Sequence, residues 1–345
     1  MKKCFKRGYA MSSLIKNNFK RKEIPIFFAV DDNYVPFLAV TLQSMIENAS
    51  KNYNYIVKVL HTSVSEENIK KIKKFANDYI NIEFVDVKQS LEEFATRLHI
   101  TSSQYTQTTY FRMFIPSLYP QFKKALYLDC DIVIRDDISK LYNTNIGNKL
   151  VGAVSDGFVS SYQKLDNYIY HGLGLEKVEN YFNAGILVMN LEQFRQQDFE
   201  GQFVDLLAKY KFKVQDQDYL NVICKNKVHY ISSVWNQMPT GVMNEVEKVK
   251  LIHYNLVWKP WHAEVNYGEE FWKYADKTEY KDILHNIRDS YTAEQYAKDL
   301  NNFHNFMQVI IDDGEDPNNY YYTYVKNGEN EGTDVVGEFA LENSI

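Results

Sequence analysis

Short apolar runs alternate with segments of helical periodicity through the first two-thirds of the chain. Ile24 to Val30 is apolar throughout and gives way to Asp31-Asp32-Asn33, the pattern of a strand buried on both faces that ends in a polar loop. Pro36 suits the first turn of a helix on which Phe37, Val40, Thr41, Ser44 and Met45 share one face. Tyr55 to Leu60 reads as a second strand. Ser65 then opens a helix whose Ile69, Ile72, Phe75 and Ala76 recur at helical spacing, and Ile82 to Val87 is a third strand. Thr108 to Leu118 places Tyr110, Phe114 and Leu118 on one helical face with Arg112 off it, and Pro120 helps to end that helix. Further strands are expected at Ala125 to Leu128, Leu150 to Val154 and Ala184 to Met189.

Strands alternating with helices imply βαβ units and an open parallel sheet, in which ligands bind beyond the strand C-termini. From about Ala263 the pattern changes to Tyr-rich, charged segments of helical spacing that close in an acidic tail from Asp312 to Ile345. The expected organisation is a basic leader over residues 1–23, one α/β domain over 24–262, and a mostly helical appendage with the acidic tail over 263–345. The run Tyr320-Tyr321-Tyr322 reads as a packed aromatic patch.

Composition narrows the function classes. With 345 residues, 45% of them hydrophobic, the chain can bury a full core. A formal net charge of −6 argues against non-specific nucleic-acid binding, which needs a positive surface. Three widely spaced cysteines, Cys4, Cys130 and Cys224, fit neither a disulfide framework nor a thiolate zinc site and point to a reducing, cytoplasmic compartment. The leader is basic but lacks the apolar core of a secretory signal. It is expected to be a solvated tail, with weak peripheral contact to an anionic membrane surface as the alternative.

Three segments carry candidate chemistry. Asp129 and Asp131 follow an apolar strand, and residues two apart in extended backbone point the same way, so the two carboxylates can converge on a hard divalent cation. Asp-x-Asp is also a common turn sequence. Here the apolar Ile132-Val133-Ile134 follows, and unpaired carboxylates are costly inside an apolar stretch. Asp216-Gln217-Asp218 lies before Leu220, Val222 and Ile223, and reads equally well as a functional cluster or as an acidic helix start. His253 ends the apolar pair Leu251-Ile252 and can serve as a metal ligand or a satisfied buried histidine, while Lys259 can neutralise a phosphate or sit at the surface.

Taken in order, several pieces resemble the family-8 glycosyltransferases: Phe28 to Tyr34, Thr108 to Arg112, Leu126 to Asp131, Tyr181 to Gly185, Asp216 to Asp218, and His253-Tyr254 with Lys259 to His262. The resemblance implies a GT-A fold, a single Rossmann-like mixed sheet flanked by helices. It further implies retaining transfer of glucose or galactose from a UDP-sugar to a glycan, lipid-linked or protein acceptor, with Mn²⁺, or alternatively Mg²⁺, on the diphosphate. On that basis Ala29, Asp31 and Asn33 would hold the uridine, and Asp129, Asp131 and His253 would ligate the metal. Lys259 would contact phosphate, and Arg112, Asn183, Ala184, Asp216 and Gln217 would surround the donor sugar. In many members a glycine follows the His-Tyr/Phe pair by two residues. Leu256 stands there, so the loop is expected to run differently or close less tightly.

Retention needs either a nucleophile beneath the anomeric carbon or front-face attack assisted by the leaving phosphate. Gln217 and Asp218 are the candidate nucleophiles. An amide is a poor one, so front-face return is expected, with Gln217 steadying the cation. A sugar nucleotidyltransferase is the competing enzyme reading, although Ala29 to Tyr34 holds no glycine for a phosphate loop. A catalytically silent nucleotide-sugar or glycan-binding module is the non-enzyme alternative, and it would have lost at least one metal ligand.

Overall fold

The computed structural model describes residues 21–92, 108–241, 243–319 and 321. In chain order the elements are β1 (Lys22–Ala29), α1 (Val35–Asn48), β2 (Tyr53–His61), α2 (Glu66–Lys73), β3 (Ile80–Asp86), α3 (Phe111–Leu118), β4 (Ala125–Leu128), β5 (Ile132–Ile134), α4 (Ile138–Tyr142), β6 (Val151–Ser155) and α5 (Gly157–Ser161). They continue with β7 (Phe182–Met189), α6 (Leu191–Gln196), α7 (Phe199–Lys209), α8 (Gln215–Ile223), β8 (Val228–Tyr230), β9 (Leu251–His253), α9 (Gly268–Ala275), α10 (Lys281–Ser290) and α11 (Ala293–Glu315). Every strand and helix expected above is present within a few residues. Ser65 caps α2 by accepting the Asn68 N–H.

Seven strands form one sheet in the order β3-β2-β1-β4-β7-β6-β8, and β5 pairs with β9 in a second, two-stranded sheet. The parallel sheet that the alternation implies holds except at one strand, and the sheet is mixed, as the resemblance implies. β7 is antiparallel to both neighbours, β4 and β6, whereas the other pairings in the large sheet are parallel. Its reversal brings the beginning of β7 to the edge where the parallel strands end.

Alternate side chains feed two cores, one on each face. Ile26 and Phe28 of β1 with Leu126 and Leu128 of β4 pack towards α1 and the β5–β9 pair. Phe27, Ala125 and Tyr127 pack on the other face, among residues of α3, α6, α7 and α8. This explains the unbroken apolar runs, since a strand covered on both sides has no solvent-facing position. Each fully buried side chain of this size contributes about 1.5–3 kcal/mol.

The boundaries at both ends shift. Lys22 is already in β1, so the strand begins inside the expected leader, whose basic residues before Arg21 lie outside the described ones. Phe271, Tyr274 and Tyr280, beyond the expected boundary at 263, belong to the α1 core, so the helical region continues the domain rather than hanging from it. Helix α11 starts with a capping box from Thr292 and Gln295 and packs Met307 and Ile310 against Tyr168, Ile169 and Tyr181. Gly314 is required at that contact: a Cβ there would stand 2.5 Å from the Tyr168 backbone nitrogen. Tyr321, the one described member of the tyrosine run, packs edge-on against Tyr210 at 4.8 Å. The tail beyond it lies outside the described residues.

Candidate active site

The chain leaves the large sheet at Asp129 and enters the small one at Ile132, so Asp129-Cys130-Asp131 forms the bend between β4 and β5. Thr41, on the buried face of α1, holds this bend from behind. The buried Thr41 hydroxyl lies 2.7 Å from the Cys130 carbonyl and 2.9 Å from that of Ile132. Ser44, one turn on, accepts the Ile134 N–H. Both polar side chains replace ladder bonds that the bend breaks. Cys130 points the other way, its sulfur 3.4 Å from the Ala29 carbonyl, and burial pushes its thiol well up.

Two other strands complete the cluster. The Asp129 N–H donates to the Gly185 carbonyl of β7 at 2.8 Å, and the β5–β9 register sets Ile132 opposite His253. One oxygen from each aspartate and a ring nitrogen of His253 therefore lie within 4.8 Å of one another. His253 Nε2 stands 3.4 Å from Asp131 Oδ1 and 3.7 Å from Asp129 Oδ2. Two carboxylates from the β4–β5 bend and an imidazole from β9 suit a divalent cation by charge and ligand type.

Lys259 is buried against this cluster. Its ammonium donates to Asp131 Oδ2 at 2.6 Å and to the Tyr254 carbonyl at 2.7 Å. Burial opposes ionisation of Asp131, but Lys259 and the His253 ring outweigh it and hold the carboxyl well below the usual range. The turn that carries Lys259 is anchored by Trp261, which stacks on Phe37 of α1 at 4.0 Å. Leu256 in the same loop has φ +54°, so the backbone takes the left-handed conformation that glycine adopts freely, and the leucine bears the strain.

Arg112 is buried on α3 and ties two acidic groups together. Its guanidinium lies 4.1 Å above the Tyr127 ring, pairs with Asp129 Oδ1 at 3.0 Å and donates to the Ala184 carbonyl at 2.6 Å. Nε lies 3.1 Å from Asp216 Oδ2 but directs its hydrogen to the Thr109 carbonyl. Asp216 Oδ2 thus gains charge stabilisation and, among the described residues, no hydrogen bond. Burial pushes the Asp216 carboxyl up to about 6, with Arg112 opposing and Asp129 reinforcing the shift.

Gln217, one residue on, accepts the Ala184 N–H at 2.9 Å and an Asn183 amide hydrogen at 3.2 Å, and donates to Asp156 Oδ2 at 3.3 Å. Asp218 is separated from these groups. Its carboxylate is fully buried on the far side of α8, accepting Tyr168 Oη–H at 2.5 Å, Tyr181 Oη–H at 2.7 Å and the Val214 N–H at 2.7 Å. Asp218 thus serves the start of the helix, while Asp216 and Gln217 turn towards Arg112 and Ala184, because successive positions on a helix face different ways. Ala29 ends β1 half-buried, while Asp31 and Asn33 are exposed in the loop that follows, with Asp31 accepting the Tyr34 N–H.

Two participants carry little sequence signal. Asp156 caps α5 through Oδ1 and holds Asn183 and Gln217 through Oδ2. Its only local sign is an acidic residue just past an apolar strand. Asn236 joins Asn183 to His253 from an irregular turn, where no periodicity marks it.

The fold and this site match the GT-A class of glycosyltransferases. The chain belongs to glycosyl transferase family 8, whose model matches residues 25–265. It is 32% identical over 220 residues to a glycosyltransferase-like protein of Haemophilus influenzae, covering 62% of this chain and 63% of that one. It is 24% identical to the lipopolysaccharide 1,2-glucosyltransferase of Escherichia coli over 72% of this chain and 76% of the other. Among solved structures, the galactosyltransferase LgtC with donor and acceptor sugar analogs is similar at TM-score 0.59 and 28% identity, over 74% of this chain and 96% of that one. The bifunctional glycosyltransferase WbbM is similar at TM-score 0.68 and 26% identity, over 79% of this chain and 53% of that one. The chain thus spans under two-thirds of the Haemophilus relative and of WbbM.

Proposed function

We propose that the protein transfers a hexose, glucose or galactose, from a UDP-sugar to an acceptor hydroxyl on a glycan, lipid or protein, with retention of anomeric configuration. The observation that carries this reading is the convergence of Asp129, Asp131 and His253 beside the orphaned oxygen of Asp216. Mn²⁺ held by the first three would neutralise charge developing on the departing diphosphate. Lys259, fixed beside Asp131, adds a permanent positive charge to the same wall. Ala29, Asp31 and Asn33 at the end of β1 are suited to the uridine. A buried carboxylate oxygen without a donor is costly, and a sugar hydroxyl would satisfy Asp216 Oδ2. Arg112, Asn183, Ala184 and Gln217 form the rest of that wall.

Front-face return is the favoured route to retention. Asp218, the carboxylate best placed in sequence to act as a nucleophile, is enclosed by two tyrosine hydroxyls and a backbone amide. Gln217 is held by its neighbours and would lend its dipole to the cationic sugar, while the departing phosphate oxygen takes the acceptor's proton. The convergence of the whole ligand set speaks against a silent binding module. Among the described residues no helix is long and apolar enough to cross a membrane. A cytoplasmic location is supported by the widely spaced cysteines, of which Cys130 and Cys224 are free and buried.

Incubation with UDP-glucose and UDP-galactose, with and without Mn²⁺, tests the reading. Metal-dependent release of UDP from at least one is expected, and no release from any UDP-hexose would overturn it. Trapping with a slow fluorinated donor should leave the protein unmodified. A glycosyl adduct on Gln217 or Asp218 would replace front-face return with double displacement.

A further inference from the structure

Two consecutive backbone amides at the start of β7 set the polarity of the Asn183, Asn236 and Gln217 side chains. The Gly185 N–H donates to Asn183 Oδ1 at 3.0 Å. A backbone N–H can only donate, so the Asn183 atom facing it is the oxygen. Asn236 meets that same oxygen at 2.9 Å and must present its NH₂ group. The other end of the Asn236 amide is then its oxygen, which lies 3.1 Å from His253 Nδ1. An acceptor there requires Nδ1–H on the imidazole, which leaves the lone pair on Nε2, the nitrogen that faces Asp129 and Asp131. The Ala184 N–H likewise directs Gln217 Oε1 inward and its NH₂ towards Asp156.

We propose that Asn236 is a positioning residue that fixes His253 in the Nδ1–H tautomer and, through Asn183, joins the metal-ligand cluster to the donor-sugar amides as one hydrogen-bonded unit. Its own place is secured. Asn236 is 4% exposed, and the next residue, Gln237, bridges to β9 by accepting the His253 N–H at 2.9 Å and donating to the Leu251 carbonyl at 2.9 Å. Backbone and side chain of the same short segment thus set both the height and the rotation of the imidazole. Metal-ligating histidines depend on such a partner on the second nitrogen, and losing it costs about 10–100-fold in affinity.

The proposal rests on the metal-site reading, so its test has a readout that needs no metal. Nitrogen-15 spectra of the His253 ring, followed to alkaline pH until the shifts stop changing, should show the Nδ1–H tautomer in the metal-free protein. Asn236→Ala should yield mixed tautomers and weaken Mn²⁺ binding, measured by electron paramagnetic resonance, by about 10–100-fold. Asn236→Asp keeps an acceptor at Nδ1 but sets a carboxylate oxygen against Asn183 Oδ1, so it should keep the Nδ1–H tautomer and recover only part of the affinity. Unchanged tautomer and affinity in Asn236→Ala would overturn the proposal. So would equal loss of affinity in both variants with the Nδ1–H tautomer retained, which is the signature of a packing role. Failure of the unmodified protein to bind Mn²⁺ would sink the metal reading, while the tautomer comparison would still decide the role of Asn236.

Discussion

Gly185 lies directly beneath His253. A Cβ at Gly185 would stand 2.6 Å from Asp129 Oδ2 and closer still to the His253 ring carbon Cε1. The absence of a side chain on β7 therefore leaves the space in which the candidate ligands meet. Gly185→Ala should displace both groups and lower Mn²⁺ affinity at least tenfold, with a melting temperature close to the parent because the strand ladder survives. Calorimetric titration with Mn²⁺ and UDP checks it; parent-like affinity would show that the ligands tolerate displacement.

Asp131→Ala has a consequence beyond loss of a ligand. It leaves the Lys259 ammonium buried and without its carboxylate, and breaking a buried pair from one side typically costs about 3–5 kcal/mol. The variant should therefore lose both metal-dependent turnover and stability. Asp131→Ala combined with Lys259→Met should recover most of the stability and none of the activity. Denaturant melts of the two variants separate the effects.

Leu256 holds a backbone conformation that favours glycine. Leu256→Gly and Leu256→Ala remove nearly the same half-buried side chain, so the difference between them reports the backbone. The glycine variant should be more stable than the alanine one by about 1 kcal/mol. Equal stability would mean that the loop relaxes in the variants.

Asp218 links stability to pH. Burial, opposed by the Tyr168, Val214 and Tyr181 hydrogen bonds, pushes its carboxyl up to about 6 from 3.8. The folded state therefore holds this proton more tightly than the unfolded chain does, and stability falls as pH rises from about 4 to about 6, by an amount on the order of 3 kcal/mol. Asp131 has the opposite sign: its contribution is complete above about pH 4 and is lost as pH falls further. Asp216, raised to about 6 as well, adds to the same decline. Melting temperature measured between pH 4 and 7 should fall through this window, and Asp218→Asn should make the fall shallower without abolishing it, even though the variant starts less stable.

Local pattern was enough for the strands, because a segment buried on both faces must be apolar at every position. It was also enough for the acidic pair after β4 and for His253 at the end of an apolar dipeptide, since polar groups past a buried strand are where an open sheet binds ligands. Recognition of the family rested on the order of these short segments along the chain. The direction of β7 could not be read this way, because an apolar run looks the same in either orientation. That reversal alone carries Asn183, Ala184 and Gly185 to Asp129.

The partners of individual side chains were likewise decided in three dimensions. Asp216 and Asp218 are near-identical in sequence context, yet a rotation along one helix sends the first to Arg112 and the second to a pair of tyrosines 37 and 50 residues away. Lys259 reads as a phosphate contact and is already bonded to Asp131, 128 residues distant. Asn236 has no periodicity to mark it. The amino-acid sequence by itself determined which stretches are buried and which polar groups lie beside them, because burial is a property of each segment. Tertiary structure alone decided which donor meets which acceptor, because a hydrogen bond depends on the relative position of two segments that only the folded sheet brings together.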